Sequence, residues 1–227
     1  MRSTVSCFIL LTGLLRAAAP IELTVDATDV TRRLMHARMT VPVTPGPLRL
    51  TYPKWIPGEH GPTGPITDVA ALKIAAGGKP LAWRRDPVDL FTISVDVPSG
   101  VSSIEIAFDF ISPPESGGFT AGSSATSQLA VLNWNQMLMY PVGTPSDQLD
   151  FKATLKVPRG WKFGTALPIA RESGETIEFQ PASLTTLVDS PVLAGQNFRT
   201  IELSPGSTPA HYLHLAADSR GALDVSE

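Results

Sequence analysis

Twenty-one prolines are spread along the 227 residues of this chain, and they set what it can fold into. A proline inside a helix removes a hydrogen bond, clashes with the preceding turn and costs about 3 kcal/mol. At about 9% proline, against an ordinary share of about 5%, spread along the chain, the composition argues against long helices. Hydrophobic residues make up 43% of the chain, which is enough to bury a core and excludes wholesale disorder. The formal net charge is −3, so no basic surface for nucleic acid is evident. One cysteine, Cys7, excludes both a disulfide framework and a Cys-based zinc site.

Between the prolines the apolar residues recur with a period of two. Met35, Ala37, Met39 and Val41 form one stripe, and Phe91, Ile93, Val95 and Val97 a second. Ile104, Ile106, Phe108 and Phe110 make a third, and Phe151, Ala153, Leu155 and Val157 a fourth, with Lys152, Thr154 and Lys156 between them. Such alternation places one face of a strand on a core and the other in water. Ala71 to Ala75, Gly77-Gly78 and Leu81 to Arg85 predict a hairpin. Segments 175–180, 198–204 and 210–216 continue the pattern. The expected fold is all-β: an antiparallel β-sandwich or a large twisted antiparallel sheet.

The first nineteen residues stand apart. Met1-Arg2 gives a positive start, Val5 to Leu15 an apolar run, and Ala17-Ala18-Ala19 the small residues of a cleavage site. The run is too short to span a bilayer, which takes about 20 residues. Residues 1–19 therefore read as a signal peptide and predict an exported, periplasmic or extracellular protein with no membrane association beyond export. An uncleaved N-terminal anchor is the alternative. Residues 20–218 read as one β domain, and 219–227 as the start of a linker.

Two loops break the strand rhythm. Residues 112–128 are Ser/Gly-rich with little to bury, and predict a mobile segment. Tyr52 to Pro65 reads YPKWIPGEHGPTGP and carries Trp55, Glu59 and His60. Loops are where binding groups concentrate, so these three are the candidate domain- or ligand-facing residues. A catalytic Glu59–His60 pair is disfavoured, because adjacent residues rarely face each other. A rigid loop capping the sheet or packing on a neighbouring domain is the plainer reading.

Catalytic motifs are otherwise missing. There is no HExxH, no GxSxG and no phosphate-binding glycine loop. His36 falls on the polar side of its strand and is expected to be solvated. His211 and His214, three apart on a strand, are expected to point to opposite faces as ordinary strand residues. Trp55, Trp83, Trp134 and Trp161 could stack on sugars, but a Trp in a β protein is more often a core or rim residue. No catalytic or metal-binding residue is assigned, and no cofactor.

Three blocks carry a resemblance. The first is Pro53-Lys54-Trp55-Ile56-Pro57-Gly58 with Ile66-Thr67-Asp68-Val69 and Gly78-Lys79-Pro80-Leu81. The second runs from Leu155 to Lys162 with Thr165-Ala166-Leu167, and the third is Leu187-Val188-Asp189-Ser190-Pro191-Val192 with Gly195. In this order they resemble the N-terminal domain of the glycyl aminopeptidases, exported zinc metallopeptidases of family sixty-one that carry a PDZ domain. The resemblance implies a β-sheet domain that packs on a thermolysin-like catalytic domain of the same parent protein. Zinc is then expected only in that catalytic domain, which is missing from residues 1–227. The implied role is a non-catalytic β domain that shapes one wall of the substrate cleft. The rival is a stand-alone secreted β-sandwich module that holds a carbohydrate or protein ligand through the Trp55 loop.

Overall fold

A computed structural model describes residues 19–56, 58–113 and 124–224. Residues 1–18 of the expected signal segment and residues 114–123 of the 112–128 loop lie outside the described residues. The first half of the chain supplies β1 (Ile21–Asp26), β2 (Leu34–Pro42), β3 (Gly46–Thr51), β4 (Val69–Ala76), β5 (Lys79–Pro80), β6 (Trp83–Arg85), β7 (Thr92–Val97) and β8 (Ser103–Ile111). The second half supplies β9 (Ser124–Ala125), β10 (Leu129–Leu132), β11 (Tyr140–Pro141), β12 (Asp150–Lys156), β13 (Lys162–Gly164), β14 (Ile169–Ser173), β15 (Thr176–Phe179) and β16 (Ala182–Ser183). After a short helix, α1 (Leu184–Val188), come β17 (Val192–Gly195), β18 (Asn197–Glu202) and β19 (Tyr212–Ala217). The fold is all-β.

The period-two stripes become the core. Leu23 and Val25 of β1, Met35 to Val41 of β2, Ile104 to Phe110 of β8 and Phe151 to Leu155 of β12 bury alternate side chains on one face of a nine-stranded sheet. That sheet runs β14-β15-β12-β1-β2-β8-β4-β5, with β16 also on β12. Its pairs are antiparallel except β1 with β12, which run parallel in the register Ile21 opposite Phe151. Two four-stranded sheets, β11-β3-β7-β6 and β13-β17-β10-β9, cover the apolar face and make a sandwich. Tyr52 meets Phe108 edge-on at 6.5 Å, and Trp134 meets Phe179 at 5.7 Å. The buried Tyr52 hydroxyl donates to the Gln136 carbonyl at 3.0 Å, and the Trp134 indole N–H to the Ser190 carbonyl at 3.0 Å. Each large ring thus has a partner for its polar atom, as burial requires.

The helix is short for local reasons. Ser183 caps it by accepting from the Thr186 N–H at 3.2 Å, and Ser190-Pro191 follows immediately. No helix among the described residues is long and apolar enough to cross a membrane.

The predicted 71–85 hairpin is only partly formed. Ala75 and Ala76 pair with Pro80 and Lys79 across Gly77-Gly78, both at positive φ. Trp83–Arg85 leaves that hairpin and pairs with Ile93–Val95 in another sheet. A register shift between Ala70 and Lys73, with Ala71 at φ 54, marks a bulge that re-aims the strand. The end of the 112–128 loop is also ordered, since Ser124–Ala125 pairs with Ala130 and Val131.

The last two strands form a separate hairpin. Their register places Phe198, Thr200, Glu202, Tyr212, His214 and Ala216 on one side. Arg199, Ile201, Leu213 and Leu215 occupy the other.

Candidate functional site

The Tyr52–Pro65 loop is pinned at its neck. The Tyr52 N–H donates to the Phe91 carbonyl at 2.9 Å, and the Gly64 N–H to the Lys54 carbonyl at 3.1 Å. A Cβ on Gly64 would lie 1.9 Å from the Pro53 carbonyl oxygen, so only glycine permits this approach. Lys54 points inward: its Nζ donates to Asp89 Oδ1 at 3.1 Å and sits 5.5 Å from the centre of the Phe91 ring. The Lys54 hydrogen bond holds the Asp89 carboxyl below its usual range, against the opposing effect of burial, and Thr92 Oγ1 adds a second bond at 3.0 Å.

On this anchored base Trp55 stands 65% exposed, an indole presented to solvent by a fixed loop. His60 is exposed and Glu59 partly buried. The three candidate residues therefore share one loop, which can offer a stacking surface.

His36 differs from its expectation. It lies on the polar side of β2 but is two-thirds buried in its side chain, held between carboxylates. Its Nδ1 is 2.7 Å from Asp109 Oδ1 and its Nε2 3.4 Å from Asp29 Oδ2. The Asp109 hydrogen bond raises its pKa above the ordinary imidazole range, against partial burial, with Asp29 adding to the rise. Asp109 is its direct partner in the β2–β8 register, 73 residues away in sequence, so the strand's own pattern gave no sign of it. The two carboxylates approach opposite ring nitrogens and cannot converge with the imidazole on one ion. Among the described residues no group of three or more His, Cys, Asp or Glu side chains is placed to hold a metal ion.

His211 and His214 fall on opposite faces of the hairpin. Their Nδ1 atoms lie 2.9 Å from Ser204 Oγ and 3.0 Å from Thr200 Oγ1. A concavity of about 380 Å³ opens beside His214, bounded also by Trp161 and Phe198. No sequence motif marked it, because its walls come from segments that meet only in the fold.

Comparison with solved structures finds an aminopeptidase N family protein from Idiomarina loihiensis, at a TM-score of 0.72 and 17% identity. The match covers 87% of this chain and 32% of that one. An M1 zinc metallopeptidase from Deinococcus radiodurans matches at a TM-score of 0.47 and 10% identity, over 86% of this chain and 46% of that one. The first likeness is one of fold. Comparison with curated protein sequences gives no match. The Peptidase M61 N-terminal domain family matches over residues 22–196, most of the chain. The chain belongs to the Peptidase M61 N-terminal domain family.

Proposed function

We propose that this chain is the non-catalytic β domain of an exported, aminopeptidase-like zinc metallopeptidase. It packs on the catalytic domain of the same parent protein and forms one wall of the substrate cleft. Residues 20–218 are the domain in this reading, and residues 1–19 are removed on export. Zinc belongs to the catalytic domain.

One observation carries the packing role. The outer side of the β18–β19 hairpin puts Ile201, Leu213 and Leu215 together, with Leu203 beside them where its N–H continues the ladder to the His211 carbonyl. Leu203 is 59% and Leu213 42% exposed. Ile201 and Leu215 are half-buried, and Arg199 on the same face donates to the Leu223 carbonyl at 3.3 Å, so the open apolar part is Leu203 with Leu213, a surface suited to cover by another domain.

The coding sequence beyond Glu227 tests this directly: an HExxH motif within about a hundred residues, the size of a small domain, is expected. The purified chain is expected to release nothing from glycyl- or alanyl-anilide substrates with added zinc. Release that a chelator abolishes would overturn the non-catalytic reading. N-terminal sequencing of the exported product is expected to begin near Pro20.

The exposure of Trp55 favours a second reading, a stand-alone secreted module that binds a carbohydrate or protein through that loop. An in-frame stop after Glu227, with saturable ligand binding lost in Trp55→Ala, would replace the first reading with this one.

A further inference from the structure

The inner side of the β18–β19 hairpin closes over β13, and Gly164 makes the closure possible. A Cβ there would lie 2.3 Å from Cγ of the His214 ring, so the imidazole rests on the bare backbone of the strand. Phe198 flanks the ring at 5.7 Å between centroids, and Tyr212 stacks on it at 6.4 Å. Thr200 Oγ1 fixes Nδ1, and His214 Nε2 has no hydrogen-bond partner among the described residues. Trp161 lines the same cleft, whose volume of about 380 Å³ falls within the range of about 300–1,000 Å³ common to ligand pockets.

The charges are opposite and unanswered. Lys162 and Glu172 both line this cleft and both are exposed. Neither forms an ion pair among the described residues. The cleft therefore offers aromatic walls, an imidazole hydrogen-bonding edge, one ammonium and one carboxylate. A ligand that meets all four carries an apolar group, an amide or carbonyl, a cationic end and an anionic end. A neutral sugar would use the aromatic walls and could hydrogen-bond both charged groups, but it brings no opposite charge to either.

We propose that the cleft between β13, β14 and the β18–β19 hairpin binds a short zwitterionic peptide bearing an apolar side chain. The apolar side chain lies against Trp161 and Phe198, the ammonium end faces Glu172, and the carboxylate end faces Lys162. The proposal goes beyond the peptidase reading and does not rest on it, because binding by the chain alone is what it asserts.

Calorimetric titration of the full chain with three probes tests it: the dipeptide Leu-Phe, the same dipeptide acetylated and amidated at its ends, and cellobiose. Leu-Phe is expected to bind saturably at up to millimolar concentration. End-capping, Glu172→Gln and Lys162→Met are each expected to weaken binding by about 3-fold or more, the scale of an exposed charge pair. Both substituted residues are exposed, so the variants are expected to keep the parent melting temperature, and a melt on each confirms that the fold is intact. Equal affinity for the capped peptide, preference for cellobiose, unchanged affinity in both folded variants, or no saturation with Leu-Phe would each overturn the proposal.

Discussion

Asp109 Oδ1 lies 2.7 Å from His36 Nδ1 because the β2–β8 register sets the two residues directly opposite each other. Cross-strand pairs of opposite charge contribute to sheet stability, here on the polar side of the nine-stranded sheet. The folded pKa of His36 is raised above its unfolded value. The stabilisation is therefore fully present below the unfolded pKa of about 6.5 and is lost as pH rises through the folded one. Partial exposure limits it to about 0.5–1 kcal/mol. Urea midpoints are expected to differ more between the parent and Asp109→Asn at ~pH 6 than at ~pH 8.5. Equal differences at both would show that the pair contributes nothing through charge.

Tyr52 joins the base of the Trp55 loop to the 134–136 turn through its hydroxyl, which donates to the Gln136 carbonyl. Burial pushes its pKa well above the ordinary tyrosine range, so the hydroxyl keeps its proton and remains a donor at neutral pH. Tyr52→Phe keeps the edge contact with Phe108 and leaves a buried carbonyl without that donor, at a cost of about 1–3 kcal/mol. The denaturant midpoint is expected to fall with the slope unchanged. A midpoint equal to the parent's would mean that water replaces the hydroxyl.

The outer hairpin face makes its own prediction. If another domain covers Leu203 and Leu213, the exposed part of this face, the isolated chain should bind a hydrophobic dye and self-associate. The double substitution Leu203→Lys and Leu213→Lys is expected to reduce both, with little change in melting temperature, because both side chains are exposed in the folded chain. Dye fluorescence and light scattering read this out. A chain that is monomeric and dye-silent before substitution would remove the argument for a covering domain.

What could be read from the sequence follows from what a period of two encodes. The stripes at 104–110 and 151–157 became β8 and β12, since each strand's inward face is written in its own residues. A strand's partner is not written there. Trp83–Arg85 shows this: it sits in register for a hairpin with Ala71–Ala75 and pairs instead with β7. The same limit hid the acceptors of His36 and the cleft beside His214. The walls of that cleft are ordinary residues on segments 161–165, 169–172 and 198–214, which acquire meaning only when Gly164 lets an imidazole approach. The Trp55 loop was legible because proline and glycine density announces a loop directly. Its anchor, Lys54 on Asp89, was not, since Asp89 carries no local sign of a lysine 35 residues earlier.

Gly64 gives the most direct test of that loop's rigidity. It is not at positive φ, so backbone strain is not the issue. The constraint is steric: a methyl group would overlap the Pro53 carbonyl oxygen at 1.9 Å and approach Phe91 Cε1 at 3.1 Å. The first clash is with backbone, which cannot rotate away as a side chain end can. Gly64→Ala must therefore open the neck and lengthen the bond from its N–H to the Lys54 carbonyl, at about 2–4 kcal/mol if the whole fold feels it. If the loop alone yields, global stability holds while protease cleavage within 54–63 accelerates and the loop's contribution to tryptophan emission changes. Either outcome supports a pinned neck. A variant with the parent's stability, cleavage rate and emission would show that the loop accommodates the methyl group, and that Trp55 is not held in place by this approach.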